Sequence, residues 1–151
     1  MIQQKTGLKG KIRLEHYNAQ GELLQVREQD NLVVNGGKTL AVQRLAGITA
    51  TAVSHIAVGT DNTAAAAAQT ALIAETHRES CSAALATVTT ANDSVILEST
   101  FNFAGSFAIV ESGLFNDATT GTMFNRAVFS VVNVNNGDSI VFKWTITATS
   151  A

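Results

Sequence analysis

Proline is absent from all 151 residues, cysteine occurs once, and charged side chains make up only 15% of the chain. Each shortage excludes something. Without proline, sheet edges must be shielded by other means, and docking on a neighbour is one of them. The lone Cys81 forms no intrachain disulfide, so the chain suits a reducing cytoplasm, where its synthesis and assembly are expected, and the thiol reads as buried and inert. No apolar run approaches the roughly 20 residues that span a bilayer, and the opening MIQQKTGLKGKIR lacks the apolar core of a signal peptide. Neither export by that route nor membrane anchoring is expected.

What is present is hydrophobic (46%) and rich in Thr, Ser, Ala and Asn, a composition that fits a surface partly covered by other subunits. A chain of this length buries a continuous core as one domain, roughly 70% of its unfolded surface, without needing a metal or disulfide. The net charge of −2 is unevenly spread: residues 1–45 hold seven of the ten Lys and Arg with four acids, and the remainder three with eight. The N-terminal third is therefore basic, but its cations do not cluster as a nucleic-acid surface requires.

Period-two alternation dominates the chain. Ile12, Leu14 and His16 alternate with Lys11, Arg13, Glu15 and Tyr17, a turn follows at Asn18–Gly21, and Glu22–Asp30 returns, giving an N-terminal hairpin. After Asn35-Gly36-Gly37 the spacing of Leu40, Ala41, Arg44 and Leu45 predicts a short helix over 38–46, capped by Gly47. Residues 54–60 read as a buried strand. Residues 61–75, with five consecutive alanines, fit a helix or a surface loop. Strands are then expected at Ser80–Thr90, Val95–Phe103, Ala108–Asn116, Thr122–Val134 and Ser139–Thr149. The last alternates most cleanly, with Ile140, Phe142, Trp144, Ile146 and Ala148 inward, and its entry Asn135-Asn136-Gly137-Asp138 is a hairpin signal. The fold class is mainly β: an antiparallel β-sandwich or jelly-roll-like domain of seven or eight strands with an N-terminal hairpin and one short helix. A single domain over 1–151 divides into a hairpin or arm (1–35), a helix and connection (36–53) and a sandwich core (54–151).

No residue pattern calls for catalysis, a cofactor or a metal. His77, Glu79 and Cys81 would share one face of a strand, but zinc needs further ligands, and a solvated strand entry is the expectation. Ser54, His55 and Asp61 resemble a triad only in composition, since adjacent strand residues point to opposite faces and are expected not to hydrogen-bond. Gly37-Lys38-Thr39 matches only the end of a phosphate loop and reads as a helix-entry turn. The aromatics, Trp144 and Phe129 among them, read as core.

Three stretches nonetheless carry a resemblance: SHIAVGTDNTAAAAAQTALIAE, ESGLFNDATTGTMFNRAVFS and NNGDSIVFKWTIT. In order and spacing over residues 54–149 the chain resembles a group of small β-rich structural proteins of tailed bacteriophages and prophages, and NLVVNGGKTLAVQRLAG fits the same group. The alanines at 64–68 depart from the Ala-Pro often found there. The resemblance implies a virion protein and not an enzyme, made in the host cytoplasm, a homotrimer or homodimer binding no nucleic acid or membrane. Two stations compete: capsid decoration (cement) on the major capsid protein, and a tail-fibre, tail-tip or baseplate part in contact with tail proteins. Lys5, Lys9, Lys11 and Arg13 are the expected contacts with the shell. Gly113, Phe115, Phe129 and Trp144 are the expected framework, with Phe115 and Phe129 inward and Gly113 allowing a close backbone approach or a bulge.

Overall fold

The computed structural model describes residues 6–150. In chain order its elements are β1 (Thr6–Tyr17), β2 (Leu23–Asp30), β3 (Leu32–Val33), α1 (Asn35–Leu45), β4 (His55–Gly59), β5 (Glu75–Ser80), β6 (Ser82–Ala86), β7 (Ser94–Asn102), β8 (Phe107–Phe115), β9 (Met123–Val134) and β10 (Ser139–Ser150). They form two antiparallel five-stranded sheets, β2-β1-β10-β7-β6 (sheet A) and β3-β9-β8-β4-β5 (sheet B). The architecture is the expected sandwich, with ten strands in place of seven or eight. The strand expected over Ser80–Thr90 is shorter, β6, and a separate strand precedes it: β5 pairs with β4 in sheet B, the chain crosses at Cys81, and β6 pairs with β7 in sheet A. A surplus of small, weakly patterned residues hid that crossing. The expected N-terminal hairpin is present as β1 and β2 but does not stand apart as an arm, because β1 pairs residue by residue with β10 and contributes Ile12 and Leu14 to the core.

The core follows from alternation. Ile140, Phe142 and Trp144 of β10 are fully buried between Ile12 and Leu14 of β1 and Leu97 and Phe101 of β7, and Phe129 faces them from sheet B. One end of the sandwich is closed by polar groups: His16 Nε2 donates to Asp138 Oδ2 at 2.8 Å, leaving Nδ1 to accept from the Gln25 amide at 3.2 Å. The backbone N–H of Asn135 and then His16 hold the Asp138 carboxyl below its ordinary value, and so lock the β9–β10 turn onto β1.

The helix begins at Asn35, not Lys38, so both glycines lie within its first turn. α1 packs so closely on β9 that a Cβ at Gly37 would overlap the carbonyl of Phe124. Gly47, at φ +67°, ends the helix as expected.

Sheet B differs from sheet A in being covered on both faces. Residues Ile109–Phe115 of β8 and Met123–Ala127 of β9 are buried without alternation. Their outer face lies under the 60–74 segment, which is a loop and not a helix. Leu72 of that loop packs with Ala57, Phe115, Met123 and Val34 in a second apolar cluster. At its centre Arg126 Nε donates to Glu111 Oε2 at 2.9 Å, and both side chains are fully buried. Arg126 also donates to the carbonyls of Thr63 (2.6 Å) and Asp61 (3.3 Å), and Glu111 accepts from the N–H groups of Ile73 (3.1 Å) and Ala74 (2.8 Å). The ion pair thus satisfies backbone that has no sheet partner, and the loop keeps the pair dry.

Removing one buried ion of such a pair strands the other. Arg126→Met is expected to cost about 3–5 kcal/mol in urea unfolding, and replacing Glu111 and Arg126 together by apolar residues much less than the sum of the single changes. Additive single and double effects would show that the pair is not coupled.

Candidate functional site

The expected contact residues lie on the outer face of sheet A, which no other described element covers. Lys9, Lys11 and Arg13 project there from β1, whereas Lys5 lies outside the described residues. They do not form a free basic patch. Lys11 pairs with Glu28 at 3.2 Å, and Arg13 with Glu28 at 3.3 Å and Glu15 at 3.8 Å. The register explains this: Glu28, Arg13, Lys143 and Glu98 stand in one row across β2, β1, β10 and β7, so the like charges at the centre are flanked by acids. Lys9, opposite Thr147, is the β1 cation with no ion-pair partner among the described residues. Exposed pairs of this kind contribute little to stability but set the potential of the face.

A second surface was not anticipated. The inner face of sheet A runs past the end of sheet B, and burial fades along it: Trp144 is 0% exposed, Ile146 7%, and Ala148, expected inward, is exposed. Register places Leu85, Val95, Ile146 and Gly10 in one inward row and Leu8 beside Ala148 in the next. Leu85 is nevertheless 70% exposed and Leu8 37%. On α1, Val42 and Leu45 also point outward, Leu45 at 89%, although the helical spacing had grouped Leu45 with the buried Leu40. Between these parts opens a groove of about 320 Å3, lined by Leu8, Ala41, Val53, Ala83, Val95 and Ile146 among others. The signal for it was present in the low charge content and in an alternation that continued beyond the reach of any covering strand.

The β8–β9 hairpin, residues 111–130, carries Gly113, Phe115 and Phe129 of the expected framework, and β10 carries Trp144. Trp144 and Phe129 are core as expected. Phe115 is buried but on the other face of β8 from the main core, because Leu114 takes the inward position. There Phe115 is capped by the Arg78 guanidinium, 3.8 Å from its ring centroid. Gly113 makes the expected close approach: a Cβ would stand 2.7 Å from the carbonyl of Asn125, and bulges interrupt the pairing on either side of it. Arg78 also donates to the carbonyls of Asp117 (3.0 Å) and Thr120 (2.8 Å) and pairs with Glu75, so β5 is a clamp on the hairpin turn and not merely a solvated strand entry. Within the turn Asp117 accepts from the N–H groups of Thr119 and Thr120, which draw its carboxyl down to about 2 from 3.8.

Residues weighed for chemistry scatter. His77 packs edge-on against Phe103 and Phe107, Cys81 lies beyond the end of β5 with its thiol pushed up by burial, and no group of three or more metal-ligating side chains occurs among the described residues. The expectation for Ser54 and His55 is corrected: Ser54 precedes the strand, which frees its Oγ to reach His55 Nδ1 at 2.8 Å. Asp61 instead accepts from Thr63 N–H, so the three do not assemble. Arg126 was missed, although a glutamate and an arginine stand within the two strands that flank the turn, Glu111 in β8 and Arg126 in β9. No helix among the described residues is long and apolar enough to cross a membrane. Comparison with protein-family models, with curated proteins and with solved structures finds no match.

Two outcomes follow for these surfaces. Because the Asp117 carboxyl is lower when folded, its contribution is present above pH 3.8 and is lost as pH falls toward 2. Asp117→Ala is therefore expected to flatten stability against pH in that interval, read by thermal melts, and an unchanged slope would remove the turn's role. Val42→Lys with Leu45→Lys is expected to reduce binding of a hydrophobic dye while shifting stability by less than about 0.5 kcal/mol, because both side chains are already in water.

Proposed function

We propose that this chain is a structural protein of a tailed-phage or prophage virion, and that it decorates the head by binding the major capsid protein lattice. The observation that carries an assembly role is the uncovered inner face of sheet A, where core-type side chains end in solvent beside the groove. Apolar area of that kind marks protein contact in a folded domain. The virion setting rests on the resemblance of the 54–75, 111–130 and 135–147 stretches to phage structural proteins. Among the described residues the longest helix has 11 residues, which fits a seated domain better than a stalked fibre.

The mechanism is linkage. A protein that binds assembled subunits and not free ones stabilises the assembly by mass action, and repetition over a lattice makes modest contacts effectively permanent. On this reading Lys9, the β1 cation with no ion-pair partner among the described residues, meets an acidic part of the shell. The tail-tip or baseplate station is the second reading, favoured by the same exposed surface if its partner is a tail protein.

Antibody labelling of purified virions in the electron microscope tests both. Regular label over the head is the expected result, with lower occupancy for Lys9→Glu. Label at the tail would transfer the role to the second reading, and unlabelled virions would overturn both.

A further inference from the structure

The four sheet edges are not protected alike. β2 carries Arg27, Glu28 and Asp30, and its pairing with β1 is broken by a register shift. β5 carries Glu75, Arg78 and Glu79, and is also shifted against β4. β3 is two residues long. Charges, irregular pairing and shortness are the usual means by which an edge refuses another strand. β6, Ser82-Ala83-Ala84-Leu85-Ala86, has none of them: it is uncharged and five residues long, and it stands in unbroken register with β7. Alternate N–H and C=O groups along its free side point away from β7 with no strand to receive them.

We propose that β6 is a dimerisation edge, pairing antiparallel with β6 of a second copy so that two five-stranded sheets join as one of ten. A second copy is the occupant because antiparallel pairing of identical strands is self-complementary under a two-fold axis. With Ala84 on the axis all five residues overlap, Ala84 opposite Ala84 and Leu85 opposite Ala83. Side chains this small place no bulk between the backbones. Leu85, 70% exposed in the single chain, would pack across the seam on the inner side, the same side as the groove. Five paired residues alone bury less than the roughly 800 Å2 per partner of a standard interface, so the adjoining apolar surface around Leu85 and the groove belongs to the same contact. The inference stands apart from the virion reading, since it concerns the chain's own assembly unit and not where that unit docks.

The test is the mass in solution by analytical ultracentrifugation, under reducing conditions so that Cys81 plays no part. The intact chain is expected to be a dimer, and Ala84→Lys and Ala84→Glu each a monomer that still unfolds cooperatively, because residue 84 is solvent-exposed in the single chain. Mixing the two variants is expected to restore a dimer, since opposite charges then face each other across the seam. That rescue separates a broken interface from a damaged fold. A monomeric or trimeric intact chain, a dimer that survives Ala84→Lys, or a failure of the mixed variants to pair would overturn the proposal.

Discussion

The buried pair of Glu111 and Arg126 is the constraint from which much of the molecule's asymmetry follows. Two charges in the middle of adjacent strands cannot remain there without partners, because desolvating each ion costs several kcal/mol. The 60–74 segment supplies them, offering N–H groups of residues 73 and 74 to the carboxylate and carbonyls of residues 61 and 63 to the guanidinium. That segment in turn has little regular structure and would otherwise leave its own backbone groups unpaired under Leu72. Each side resolves the other's problem, and the result is a sheet covered on both faces.

Sheet A has the opposite character. Among the described residues its outer face has no covering strand or helix and instead balances charges in rows, so that Lys11 and Arg13 are matched by Glu28 while Lys9 has no ion-pair partner there. Its inner face is longer than the sheet opposite, and the surplus ends as Leu8, Leu85 and Ala148 in water. The regions available for contact are therefore those the ion-pair clamp does not reach: one polar face, one apolar end and one bare edge. Low charge content overall is consistent with such contacts.

Much of this was legible in the chain. The alternation of β10 and β1 located the core through Trp144, Phe142, Ile12 and Leu14, and Asn135–Asp138 is a turn as its residues suggested, but it carries the chain from β9 in sheet B to β10 in sheet A and so closes no hairpin. Single residues misled where geometry depends on what lies opposite. Ala148 continues the inward series but has nothing above it, Leu45 has helical spacing but no partner, and Phe115 faces a second cluster that no pattern announced. Ser54 reaches His55 because the strand starts one residue later than the sequence suggested.

Period and turn chemistry, which are local, determined by themselves that this chain would be a mainly β sandwich with one short helix and no disulfide. Sheet membership was decided only in three dimensions, because the crossing at Cys81 depends on which neighbours β5 and β6 meet and not on their own residues. The same holds for the ion pair and for the exposed end. Burial is a property of two surfaces at once, and a sequence describes only one of them.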